Sequence, residues 1–285
     1  RGTYYGIFSA SPYLGEFLSF IITGVVVSAL GWQYGFVFAA AGGFLGAAII
    51  LIFVSDTPES KGLPSVQALS GETLKKEDKM PTAEVQKHVL KHPGIWIIAA
   101  SSAFIYIAKY AVAGWGVLFL QKSKEFSLEN ATQIIAFSAA LGVAGTVMAG
   151  WLSDKVFKGD RIRPAIISGI LSFISLYLFL FTGGSYLMNI FYVSLFSLST
   201  GILYCIVAGL MAVDIVPRKA TGAALGIVGI SSYVAAGIQD IASGYLIQGY
   251  TESAGNISNA AYDFGPVSIF WLAAMLIAFI LPVAN

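Results

Sequence analysis

Long apolar runs alternate along the chain with short interruptions of charge, glycine or proline. Eight runs have the length of a membrane-crossing helix, about 20 residues: 4–30, 33–54, 95–120, 131–152, 164–182, 186–213, 221–250 and 264–284. Charge collects between the second and third runs, at residues 55–93, a stretch too long for an ordinary helix-to-helix connection and read as an inter-domain linker. Its final part, Thr82 to Lys91, sets Val85, Val89 and Leu90 on one side, which predicts a short helix capped by Thr82, either interfacial or solvated.

Composition agrees with the pattern. Of the 285 residues 57% are hydrophobic and 11% charged, with a mean hydropathy of +0.79, whereas a soluble domain carries about 25% charged residues. The expected fold class is therefore all-α integral membrane protein. A net charge of +1 with no basic tract excludes nucleic acid as partner. The single cysteine, Cys205, lies in an apolar run and reads as packing. His88 and His92 stand four apart in the linker without further ligands, so no metal is expected. The chain opens Arg1-Gly2-Thr3, without Met, and reads as a piece of a longer polypeptide.

Alternating spans put both ends, the linker and the loops after Leu152 and Val213 on one side. That side holds Arg1, Lys61, Lys75, Lys76, Lys79, Lys87, Lys91, Lys155, Lys158, Arg161, Arg163, Arg218 and Lys219, and the other only Lys122 and Lys124. The excess makes the linker side cytoplasmic. The first and seventh runs also match in register, Gly2 with Gly222, Gly6 with Gly226, Ser11 with Ser231, Tyr13 with Tyr233 and Gly24 with Gly244. A repeat six spans apart predicts two parallel six-helix halves. The expected division is 1–54, the last two helices of the N-terminal half; 55–93, a cytoplasmic linker; and 94–285, the C-terminal half. Eight helices of twelve are then present.

Three ionisable residues lie deep within the spans: Glu16, Lys109 and Asp240. A charge at mid-bilayer costs about 2.5–3.5 kcal/mol on insertion scales, so each needs a polar cavity or a partner. Lys109, with Ser102, Tyr106 and Gly116 on one helical stripe, reads as a fixed cation for an anionic substrate, or as an ion pair with Glu16 or Asp240. Glu16 shares a polar face with Ser9, Tyr13, Ser19 and Thr23; Asp240 has Gln239 beside it and Tyr233 two turns earlier. Each carboxylate is open to structural pairing, proton uptake or substrate contact. Small residues at Gly142, Thr146 and Gly150, and at Gly222, Gly226 and Gly229, predict close helix contacts.

Residues 150–163, Gly-Trp-Leu-Ser-Asp-Lys-Val-Phe-Lys-Gly-Asp-Arg-Ile-Arg, resemble the G-x-L-[SA]-D-[KR]-x-x-x-G-x-[KR] loop of the major facilitator superfamily. Residues 55–65, Ser-Asp-Thr-Pro-Glu-Ser-Lys-Gly-Leu-Pro-Ser, and 220–233 are similar to segments of its organophosphate:phosphate antiporters. The resemblance covers essentially the whole chain as helices five to twelve. It implies exchange of an organic phosphate for inorganic phosphate by alternating access in a bacterial inner (plasma) membrane, by a monomer with no cofactor. Lys109 falls on the basic residue of helix seven, and Tyr204 and Tyr233 on cavity tyrosines. Asp154, Lys155, Arg161 and Arg163 would form a gate. The helix-five histidine of the glycerol-phosphate branch is Pro12 here, and Glu16 stands where that branch has Gly. A hexose phosphate, with hydroxyls for Glu16, Gln239 or Asp240, is the expected substrate. The rival readings are a membrane sensor of external sugar phosphate and a transporter of another anion; an intramembrane hydrolase lacks a nucleophile–base pair.

Overall fold

The computed structural model describes residues 2–55, 57–64, 82–248 and 262–283. Every regular element among the described residues is helical. Helices α1 (Gly2–Ser9) and α2 (Ser11–Leu30) form one rod broken at Ala10. Pro12 explains the break: it has no N–H to give the carbonyl of Phe8, and the Ser11 hydroxyl donates to that carbonyl at 2.8 Å instead. Gly31, at a φ of 99° that side chains rarely adopt, turns the chain at once into α3 (Trp32–Phe53).

After the linker come α4 (Thr82–Lys91), α5 (Pro93–Ser123), α6 (Leu128–Val156), α7 (Ile162–Phe181), α8 (Tyr186–Asp214), α9 (Thr221–Gln248) and α10 (Gly265–Ile280). Their starts follow local rules. Pro93 and Pro266 occupy first turns, where a missing N–H costs nothing. The hydroxyls of Ser127 and Ser185 accept from the backbone N–H of Asn130 and Met188, capping α6 and α8. Among the described residues six helices, α3 and α5 to α9, are long and apolar enough to cross a membrane; the first apolar run is divided at Ala10, and the last gives the shorter α10. Three helices contain a π-helical turn: Ala111–Trp115 in α5, Leu152–Val156 in α6 and Cys205–Met211 in α8. Such turns cluster at functional sites because they shift the register of the side chains that follow.

Packing relies on small residues and hydroxyls, as expected where lipid removes the hydrophobic drive between helices. Helices α6 and α8 touch backbone to backbone: a Cβ on Gly145 would lie 2.2 Å from the Leu198 carbonyl oxygen, and one on Gly201 2.8 Å from that of Gly142. The α1–α2 rod lies on α6, with Gly6 against the Thr146 carbonyl. Ser102 and Ser232 share a 2.6 Å hydrogen bond between α5 and α9, and Ser172 donates to Ser199 at 2.8 Å between α7 and α8. The glycine stripe of α9 differs from expectation: Gly222, Gly226 and Gly229 face open space among the described residues. Helix α4 is docked rather than free, with Val89 buried against Ile95, Ala220 and Ala224. The side chains of Thr82 and Val85 lie outside the described residues.

Candidate functional site

Lys109 stands in the last regular turn of α5, just before its π-turn. Its ammonium is walled by aromatic rings. Nζ lies 4.2 Å from the centroid of Tyr13, 5.4 Å from Tyr110, and 5.8 Å from both Tyr106 and Tyr204. Tyr106 is the hub of the rings, 5.5 Å from Tyr110, 5.7 Å from Tyr204 and 5.4 Å from Tyr233. A cavity of about 30 Å³ opens beside the amine, between Tyr13 on α2, Ser138 on α6, and Ser197 and Thr200 on α8. Cation–π contacts of this kind contribute about 0.5–2 kcal/mol each, rising with desolvation. They hold the ammonium against the π faces of the rings. All four rings around the amine are tyrosines, and Ser138, Ser197 and Thr200 add hydroxyl-bearing side chains to the cavity lining.

The structure therefore brings Lys109, Tyr13, Tyr106 and Tyr204 together, with Tyr233 reaching the group through Tyr106 and itself largely exposed. Ser102 does not join them, because its hydroxyl is bonded to Ser232; Gly116 faces Ile135. Glu16 lies one turn beyond Tyr13 on α2, and its side chain is outside the described residues. Gln239 and Asp240 diverge, as adjacent helical positions must. Asp240 is exposed and accepts a hydrogen bond from Trp115 Nε1 at 3.2 Å. Gln239 is fully buried toward α10: its Nε2 donates to Ser243, which also accepts from Trp271, while its Oε1 has no partner among the described residues. Neither lines the cavity beside Lys109.

At the far end of α6, Arg161 ties three groups. It reaches Asp154 at 3.1 Å, Asp214 at 3.0 Å and the Ser153 hydroxyl at 2.5 Å. Arg163 pairs locally with Asp160 at 3.1 Å, and Lys155 is exposed. Asp214 was not among the residues marked in the sequence, although an acidic residue closing a span amid basic loops was the available signal. At the opposite ends of the helices, Lys124 donates to the Phe179 carbonyl and to Asn189 Oδ1 at 2.6 Å, tying α5 to the end of α7 and the start of α8. Burial there lowers its pKa to about 8.

The sequence profile of the Major Facilitator Superfamily matches residues 1–239. The chain belongs to the major facilitator superfamily. Among curated relatives, the hexose-6-phosphate:phosphate antiporter of Salmonella typhimurium is 30% identical over 301 residues, covering 97% of this chain and 62% of that protein. The glycerol-3-phosphate transporter of Bacillus subtilis is 29% identical over 243 residues, 82% of this chain and 54% of that protein. A probable hexose phosphate transport protein of Chlamydia pneumoniae is 33% identical over 177 residues, 56% and 39%. These names accord with the organophosphate:phosphate antiporter resemblance. This chain spans roughly 39–62% of the length of these relatives. These relatives are named as transporters, and the six long apolar helices among the described residues accord with a multi-pass membrane protein.

Proposed function

We propose that the protein exchanges an organic phosphate, a hexose phosphate above all, for inorganic phosphate by alternating access. The observation that carries this reading is Lys109: a cation within an apolar helix, set among tyrosines beside a cavity. A phosphate takes charge-assisted hydrogen bonds from the amine, and the hydroxyls of a sugar suit the surrounding O–H groups. Lysine presents a compact point charge rather than the two-pronged grip of arginine, and so holds phosphate less rigidly. The relatives named for hexose phosphate and glycerol 3-phosphate support the substrate class, and Pro12 and Glu16 in place of the glycerol-phosphate pattern favour the sugar.

In this reading residues 1–54 are the fifth and sixth of twelve helices, 94–285 are the seventh to twelfth, and 55–93 is a cytoplasmic linker. The protein acts as a monomer in a bacterial inner membrane, with the linker and both ends of these residues inside. The Arg161 cluster is a cytoplasmic clasp that parts when the cavity opens inward. The test is uptake of radiolabelled hexose phosphate into phosphate-loaded liposomes by the full-length protein. Uptake that depends on internal phosphate and is competed by external phosphate supports exchange. Binding without flux would make the protein a sensor, and competition by carboxylates but not by phosphate would replace the substrate class.

A further inference from the structure

The partly open cavity beside Lys109, about 30 Å³, has room for roughly two waters. Its walls on α6 and α8 belong to helices in backbone contact with each other, as Gly145 on Leu198 and Gly201 on Gly142 show, and Lys109, Val112 and Ala113 of α5 line the third side. The remaining wall is Tyr13, which alone among the described lining residues comes from the α1–α2 rod. Tyr13 is 2% exposed and has two seats. One face of its ring meets Lys109 Nζ at 4.2 Å, closer than any other ring. Its edge rests on Gly142 of α6, where a Cβ would lie 2.5 Å from Tyr13 Cε1 and 2.6 Å from Cδ1. The same rod also rests on the bundle elsewhere, with Gly6 on the Thr146 carbonyl and the Tyr5 ring on Gly209 in the π-turn of α8. Cys205 opens that π-turn, buried at 0% exposure, and interacts with Ser9 and Tyr5 of the rod.

We propose that Tyr13 couples occupancy of Lys109 to the seam between the two halves: its ring covers the ammonium when no anion is bound and, through Gly142, holds the rod on α6. An arriving oxyanion needs the amine at about 2.7–2.9 Å. That space is the ring's, so binding lifts Tyr13 from Lys109 and from Gly142 together. The seam is thereby weakened only in the loaded carrier, because an anion shifts a two-state equilibrium by no more than its preference for one state. An empty carrier stays latched, which favours exchange over leak. The inference rests on the anion-site reading of Lys109 and adds a residue that reads the site.

The experiment uses full-length protein in liposomes with every cysteine except Cys205 replaced. Two quantities are measured in parallel: equilibrium binding of radiolabelled inorganic phosphate, and alkylation of Cys205 by N-ethylmaleimide with and without phosphate. The parent is expected to bind phosphate and to alkylate several-fold faster when it is present. Tyr13→Ala should alkylate quickly in either condition and bind phosphate about 2- to 30-fold more tightly, since no ring competes for the amine. Gly142→Ala, which unseats the ring from the other side, should lose the phosphate dependence too, and Tyr13→Phe should resemble the parent. Phosphate-dependent alkylation that survives in both Tyr13→Ala and Gly142→Ala, with binding intact, overturns the latch and leaves the anion site standing. Weaker phosphate binding in Tyr13→Ala makes the ring a ligand and also overturns the latch. Unchanged alkylation in a parent that binds phosphate does the same. A parent that binds no phosphate overturns the anion site and the latch with it.

Discussion

Gly145→Ala isolates the contact on which the bundle beside Lys109 depends. The added methyl carbon would lie 2.2 Å from the Leu198 carbonyl oxygen, 3.0 Å from its carbon and 3.1 Å from its Cα. These are backbone atoms and cannot rotate away. Restoring an ordinary contact of 3.4 Å requires α6 and α8 to part by about 1.2 Å. Overpacking of this kind costs about 1–3 kcal/mol, partly offset by about 0.5–1 kcal/mol for replacing a mid-helix glycine. The net loss, near 2 kcal/mol at its upper end, lowers the thermal midpoint by about 4–8 °C in a domain of this size. Thermal unfolding of the full-length protein in detergent measures it. Gly201→Ala, with its nearest backbone atom at 2.8 Å, should fall between Gly145→Ala and Gly183→Ala, which has nothing within 4 Å and should be neutral. Equal midpoints for all three would refute backbone contact as what holds α6 to α8.

Three further outcomes are expected. Arg161→Ala should destabilise by about 1–3 kcal/mol, as loss of charged hydrogen bonds does, while Asp214→Asn alone costs under about 1 kcal/mol; their thermal midpoints should be non-additive, and strict additivity would mean that the Arg161–Asp214 pair carries no coupling. Lys124 should acylate with a midpoint near pH 8; because the folded protein gives up this proton before the unfolded chain does, its contribution to stability rises as pH climbs from about 8 through the usual lysine range, and titration at the usual lysine value would contradict the burial. The Ser102→Ala, Ser232→Ala cycle should return a coupling of about 0.6 kcal/mol, typical of hydrogen bonds between membrane helices, and zero coupling would make that bond incidental.

Much of the architecture was legible because lipid imposes a simple code: apolar length marks a helix, Gly31 ends the first run and Pro93 opens the helix of the third. What the code lacks is rotation about the helix axis. Gln239 and Asp240 looked like one polar face in sequence, yet one is buried toward α10 and the other exposed beside Trp115. Ser102 shared a stripe with Lys109 but turns to Ser232, and Gly222, Gly226 and Gly229 of α9 have no described neighbour within 4 Å of an added Cβ, whereas Gly145, in a stripe read for its neighbours, meets bare backbone. The π-turns after Lys109 and at Tyr204 shift register without any residue that announces them. Asp214 was missed for a different reason, since its partner Arg161 lies far off in sequence and is brought to it only by folding.

The account stands on the amine of Lys109 meeting a dissolved anion. Phosphate-driven uptake of hexose phosphate into liposomes by full-length Lys109→Ala, compared with Lys109→Arg and the parent protein, tests this most directly. Exchange should be abolished in the alanine variant and recovered in part by arginine, which restores the charge with a different shape. Parental exchange rates in Lys109→Ala would show that the cation is a structural element of the bundle and that the anion binds elsewhere.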